Sequence, residues 1–249
     1  MTAVSRSVRT SRDLTPAEYA KHLDMALHLQ SLTEAEIRAG AAQARAAGVA
    51  AFYSNSYWTP VVASELAGSD VRVGAAIAFP YGSVASAVKY AEIDASIDAG
   101  ATAVDMVVNI GALHDKNFGL VEAEIEGLRS RCEGRAISKL IFEVGFLDDD
   151  EIVTLTTMCR DGGLDYVKTS TGTQAFPDDR QVRLMLEHTR GSSTRVKLSG
   201  LPRTFTLAAT LWLLDLGVDL MGTRSAAQLV EQYATLVAST QDPDDAPSE

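Results

Sequence analysis

Two cysteines in 249 residues argue against a disulfide-built scaffold, and neither stands in a metal-type cluster. Cys132 lies in a polar stretch and Cys159 in a helical pattern, so no bridge is read between them and a reducing compartment, the cytoplasm, is expected. Histidine is scarce as well. His22, His28, His114 and His188 lack the spacing of a metal site, so surface or hydrogen-bonding roles are expected for all four and a metal for none. Long apolar runs are missing. Met1 to Arg12 carries basic residues with no apolar segment behind them, which predicts neither a secretory signal nor a membrane span. Positive charge is in deficit, with 22 Lys and Arg against 33 Asp and Glu and a net charge of −11. That balance opposes nonspecific binding to nucleic acid or to an anionic membrane surface.

What the chain has is apolar content, 46% of its residues, at a length that suits one α/β barrel. Residues 1–16 and 239–249 are polar or charged and are expected to be flexible tails, the second acidic, around a barrel over 17–238. Between the tails, short runs rich in Val, Ile and Phe alternate with longer Ala-, Leu- and Glu-rich segments of helical period. Strands are predicted at Leu23 to Leu27, Val49 to Ser54, Val71 to Phe79, Ala103 to Asn109, Ser138 to Val144, Tyr166 to Ser170, Arg195 to Ser199 and Asp219 to Thr223. Helices are predicted at Thr33 to Ala47, Ser83 to Ala99, Leu120 to Arg131, Asp148 to Asp161, Pro177 to His188, Thr204 to Leu216 and Ala226 to Val237. Gly48, Gly100 and Gly217 suit helix stops. Eight βα units predict a closed (β/α)₈ TIM barrel, with an open doubly wound sheet as the alternative architecture.

Ionisable residues inside the apolar runs are the candidates for chemistry, because active sites of such barrels gather at the C-terminal ends of the strands. These are Asp24, Asp105, Glu143, Lys168 and Lys197. Charges buried singly are unfavourable, so a group of both signs around one cavity is expected; a structural ion-pair network satisfies the same pattern. Alternation along Tyr166-Val-Lys-Thr-Ser puts Lys168 on the face of Tyr166 and Ser170, with Val167 turned toward the helices. By the same count Asp105 shares a face with Val107 and Asn109. Two lysines in consecutive strands, desolvated and repelling each other, favour a neutral amine near pH 7, the species that imine chemistry needs.

The segments Gly100-Ala-Thr-Ala-Val-Asp-Met-Val-Val-Asn-Ile-Gly-Ala-Leu113, Asp165-Tyr-Val-Lys-Thr-Ser-Thr-Gly172 and Val196-Lys-Leu-Ser-Gly-Leu-Pro-Arg-Thr204 occur in that order. With them the chain resembles the deoxyribose-phosphate aldolase family of class I aldolases, from about Leu23 to Ala227. The resemblance implies a Schiff-base lysine at Lys168, a lysine lowering its pKa at Lys197, a proton-relay aspartate at Asp105 and the first-strand aspartate at Asp24. Substrate contacts are expected from Asn55, Thr171, Gly172, Gly200, Arg203, Arg224 and Ser225. It implies no metal and no other cofactor, and a small aldehyde or sugar phosphate as the partner. A homo-oligomer assembled through outer helices fits such barrels, though no exposed apolar stripe marks an interface.

The chain departs from the family pattern in three places. Tyr53 stands where the family usually has a cysteine, and Gly200-Leu-Pro-Arg203 replaces paired glycines before an arginine. Gly222-Thr-Arg-Ser-Ala226 replaces a run of small residues. Proline has no N–H to offer a phosphate, so the substrate tail is where difference is expected. The expected activity is therefore a deoxyribose-5-phosphate aldolase-like carbon–carbon lyase. The alternatives are a Schiff-base lyase or transferase on a non-phosphorylated or carboxylated aldol, and an inactive barrel with a binding or regulatory role.

Overall fold

The computed structural model describes residues 10–200 and 206–241. Eight parallel strands, β1 (Leu23–Ala26), β2 (Ala51–Asn55), β3 (Arg72–Ile77), β4 (Ala103–Val107), β5 (Ile137–Ile141), β6 (Tyr166–Lys168), β7 (Arg195–Ser199) and β8 (Leu220–Thr223), pair in sequence order. β1 also pairs with β8. The sheet is therefore closed, and the open-sheet alternative is set aside. Every expected strand forms, most of them shorter at the C-terminal end than the apolar runs suggested. β3 stops at Ile77 because Ala78 turns to φ 52° before a cis Phe79–Pro80 bond, and β5 stops before Glu143, which sits at φ 57°. The residues released from pairing become the loops around the barrel mouth.

The helices are α1 (Pro16–Ala20), α2 (Glu34–Ala47), α3 (Thr59–Leu66), α4 (Ser86–Asp98), α5 (Ile110–His114), α6 (Phe118–Cys132), α7 (Asp149–Asp161), α8 (Asp179–Thr189), α9 (Leu207–Leu216) and α10 (Ala226–Gln241). Sequence signals set many of their ends. Thr33 with Glu36, Asp148 with Glu151 and Asp178 with Gln181 form reciprocal caps at the starts of α2, α7 and α8. Gly48 and Gly217 end α2 and α9 in the left-handed conformation that other residues adopt at a penalty. The short α1, α3 and α5 were not predicted, since five to eight residues give too little period to read. Thr204, the expected start of α9, lies outside the described residues.

The expected N-terminal tail is anchored from Thr10 onward. Ser11 N donates to Asp215 Oδ1 at 2.7 Å, and the Tyr233 hydroxyl donates to the carbonyls of Ser11 and Leu14. Tyr19 stacks on Tyr233 with centroids 4.3 Å apart. Cys132, read as part of a polar stretch, falls on the inward face of α6 and is buried and free, as is Cys159. Among the described residues no helix is long and apolar enough to cross a membrane.

Strand alternation separates an apolar shell from a charged axis. Leu23, Met25, Val104, Met106, Leu140, Val167, Val196 and Leu198 face outward into the two large clusters between sheet and helices. Their neighbours Asp24, Asp105, Lys139, Lys168 and Lys197 point inward and are buried. Outside the axis, Lys89 of α4 is fully buried, with Nζ 2.7 Å from Glu124 of α6 and 3.0 Å from the Val107 carbonyl at the end of β4. Ser86 donates to the other Glu124 oxygen. Removing one partner would strand a buried charge, so Glu124→Leu is expected to lower unfolding free energy by about 3–5 kcal/mol. Urea denaturation should show that loss, and adding Lys89→Met should return most of it. A single variant losing less than about 1 kcal/mol would show that the pair is solvated and weak.

Candidate active site

Closure of the barrel brings five charges from five strands into one network. Asp105 Oδ2 accepts from Lys168 Nζ at 2.8 Å and from Lys197 Nζ at 2.7 Å, while Lys139 Nζ lies 3.5 Å from Oδ1. Lys197 Nζ also lies 2.7 Å from Asp24 Oδ2. The register explains the crowding: Lys168 pairs with Lys197 and Asp105 with Lys139, so like charges on neighbouring strands are held together by the carboxylate across from them. Three lysines face two aspartates, which makes one neutral lysine the favoured state of the group.

The contacts decide which one. Lys197 touches both carboxylates, and although burial works to lower its pKa, Asp105 and Asp24 outweigh burial and raise it. Lys168 touches Asp105 alone. Burial, with repulsion from Lys197, brings it down from 10.5 to about 8 against the pull of Asp105. Lys139 is lowered as well, chiefly by burial. Asp105 is held well below the usual carboxylate range: burial works to raise it, and Lys168, Lys197 and Lys139 prevail.

The network forms a partition between two cavities. The upper one, about 550 Å³ at the C-terminal ends of the strands, is lined by Lys168, Lys197, Tyr53, His28, Ser199 and the loop residues Thr171, Gly172, Gly200, Arg224 and Ser225 among others. The lower one, about 250 Å³, is lined by Asp24, Lys139, Tyr166 and Asp219 among others. Of the lysines in the network, Lys168 alone has a lowered pKa and opens on the upper cavity. Asp24 and Asp105 are placed beneath that cavity, in contact with its lysines. Asn55 stands at the end of β2 beside His28. Arg203 lies outside the described residues, as do Leu201 and Pro202.

Tyr53 forms part of the cavity wall. Its ring fills space left by Gly74, where a Cβ would come within 2.5 Å of it. Lys139 donates to the Tyr53 hydroxyl, and Lys197 Nζ sits 3.9 Å from the ring centroid, a cation–π contact that supports the charged form of Lys197. Glu143, counted among the ionisable candidates for chemistry, accepts the backbone N–H groups of Thr171 (3.0 Å) and Ala175 (3.4 Å) and shapes the loop after β6. Gly172 and Gly200 approach each other closely across that loop, a Cβ on Gly200 falling 3.4 Å from the Gly172 Cα.

Two participants escaped the sequence reading. Lys139 lies inside a predicted strand, and alternation from Leu140, which faces the helices, would have turned it inward. His28, expected in a surface or hydrogen-bonding role, stands two residues past the end of β1 and lines the cavity. Among the described residues no group of three or more His, Cys, Asp or Glu side chains is placed to hold a metal ion.

The model of the DeoC/LacD family aldolase matches residues 19–210. This chain belongs to the DeoC/LacD aldolase family. Deoxyribose-phosphate aldolase from Clostridium tetani is 33% identical over 215 residues, covering 86% of this chain and 99% of that protein. The enzyme of the same name from Micrococcus luteus is 34% identical over 224 residues, covering 87% and 97%. Among solved structures, a putative deoxyribose-phosphate aldolase from Coccidioides immitis has a TM-score of 0.82 at 27% identity, covering 88% of this chain and 87% of that one. The Aeropyrum pernix deoxyribose phosphate aldolase, described as having a unique tetrameric structure, has a TM-score of 0.80 at 25% identity, covering 89% and 93%. The DeoC/LacD chain described here is thus a class I aldolase, an aldehyde-lyase on a TIM barrel.

Proposed function

We propose that this aldolase cleaves and forms deoxyribose 5-phosphate or a close analogue, joining an acetaldehyde-like donor to glyceraldehyde 3-phosphate through an imine on Lys168. The observation that carries the assignment is that Lys168 combines a lowered pKa with an open side on the upper cavity, while Lys197 is held charged and Lys139 faces away. The neutral Lys168 amine attacks the donor carbonyl carbon, and loss of water leaves a protonated imine. Removal of an α-proton sends the C–H electron pair toward the imine nitrogen and gives an enamine, whose carbon attacks the acceptor aldehyde. Hydrolysis releases the aldol and restores the amine. The hydrogen bonds of Asp105 to Lys168 and Lys197, 2.8 and 2.7 Å, and the ion pair of Lys197 with Asp24 at 2.7 Å gather proton carriers beneath the imine, with water in the upper cavity completing the relay. The protonated imine is itself the electron sink, so the reading calls for neither a metal nor an organic cofactor.

Arg224 and Ser225, which lead into α10, line the same cavity as Thr171, Gly172 and Gly200. A guanidinium beside a helix N-terminus favours an anionic group, which suits a substrate phosphate. An assembly of several copies accords with the tetramer described for the Aeropyrum pernix relative.

Incubation with acetaldehyde and borohydride should add one reduced adduct, found on Lys168 by peptide mass spectrometry. Labelling of a different lysine with Lys168 unmodified would refute the assignment. The rate of imine formation should rise with pH about a midpoint near 8, because only the neutral amine reacts. Lys197→Leu removes a repulsion that lowers the pKa of Lys168, so that midpoint should move alkaline. An unmoved pH profile with altered activity would mean that Lys197 acts in binding and not through charge.

A further inference from the structure

His28 is the one histidine among those lining either end of the charged axis that opens on the upper cavity, and the mechanism above leaves it without a task. Its ring packs against Phe79 at 4.6 Å between centroids, Asn55 stands within hydrogen-bonding reach of it, and Nδ1 is buried with no partner among the described residues. A buried ring nitrogen left unpaired is unfavourable, so a polar group that enters the cavity within reach of His28 gains a hydrogen bond there. We infer that His28 is a specificity-determining residue that hydrogen-bonds a hydroxyl on the acceptor aldehyde, at the carbon next to its carbonyl.

The chemistry of the surroundings selects the partner. Burial, then the neighbouring Lys168 and Lys197, bring the imidazole down from 6.5 to about 3, so it is neutral at working pH. One ring nitrogen of a neutral imidazole donates and the other accepts, and a hydroxyl satisfies either, because it can do both. An ammonium on the substrate would be repelled by the charged Lys197. A carboxylate or phosphate, which can only accept when ionised, is better served by the guanidinium of Arg224, which lines the same cavity just past the neighbouring strand β8. A weakly basic imidazole is also suited to orienting a substrate and not to removing its proton. The placement agrees: His28 stands two residues past the end of β1 and lines the cavity on which Lys168 opens.

This inference rests on the Schiff-base reading, and the test separates the two. Aldol addition of acetaldehyde to propanal and to 2-hydroxypropanal compares acceptors of one length that differ by a single hydroxyl. The wild-type protein should prefer 2-hydroxypropanal, and His28→Leu should lower kcat/KM for it by about 10- to 100-fold while changing that for propanal by less than about threefold. His28→Gln, which keeps a donor and an acceptor, should recover part of the preference and serves as the informative variant if the leucine protein does not fold. Borohydride trapping of acetaldehyde on Lys168 should be unchanged in both variants. Equal losses on the two acceptors with trapping intact, or no loss on either, would overturn the role of His28 alone. Failure of the wild-type protein to form a Lys168 adduct would overturn the Schiff-base reading instead.

Discussion

Lys168→Met should lower the rate of deoxyribose 5-phosphate cleavage by a factor on the order of 10⁵ and abolish the borohydride adduct, while leaving the fold in place. The size follows from the role. Removing the group proposed to form the covalent intermediate would remove the whole catalysed path and leave only binding and electrostatic assistance. The stability side follows from charge counting within the barrel. Three lysines and two aspartates carry an excess positive charge when all are ionised, and methionine of similar volume brings the pairs into balance. Unfolding free energy should therefore change by less than about 1–2 kcal/mol in either direction, since the loss of one hydrogen bond to Asp105 is offset by relief of repulsion from Lys197. Retained turnover with an adduct on Lys197 or Lys139 would show that the neutral amine had been assigned to the wrong lysine.

Asp105→Asn should be the most damaging single change to the network, because Asp105 alone touches all three lysines. Asparagine keeps the shape and loses the charge, leaving Asp24 as the single counter-charge for the three lysines. Unfolding free energy at pH 7 should fall by about 3–5 kcal/mol, the range for stranding a buried ion. Activity should fall by about 10³-fold even though the pull that raises the Lys168 pKa has gone and the amine is more fully neutral. Rate and amine neutrality would then move in opposite directions, which separates proton relay and positioning from simple pKa control. Denaturation across pH supplies an independent check. The folded pKa of Asp105 is depressed, so its contribution is present above the unfolded carboxyl value of roughly 3.9 and is lost as pH falls through the lower folded value. The gap in stability between wild type and variant should thus hold from pH 7 to about 4 and narrow only below it. A gap that closes nearer pH 6 would mean that the carboxyl is far less stabilised than its contacts imply.

Much of this was legible in the chain. The barrel followed from eight alternations of strand and helix, and the inward direction of Lys168 and Asp105 followed from counting residues along their strands. What failed was local in each case. The loop after β5 carries Glu143 in a left-handed backbone that ends the alternation, so its carboxylate serves backbone amides and no lysine. Lys139 was overlooked inside a run counted as apolar. Tyr53, noted only as a departure from the family cysteine, turned out to hold Lys139 and to underlie Lys197.

The division between the two sources of information has a physical basis. Alternation, capping and helical period act between residues a few positions apart, so the sequence by itself determined the element order, the (β/α)₈ class and which faces of which strands carry charge. The charge state of Lys168 depends on distances of 2.7 to 2.8 Å between residues 63 and 92 positions apart. Electrostatic energy in a buried site depends steeply on such distances and on the removal of water. Only closure of the barrel could decide that Lys168 is the amine with a lowered pKa that opens on the upper cavity, that Lys197 stays charged beside it, and that His28 lines the same cavity.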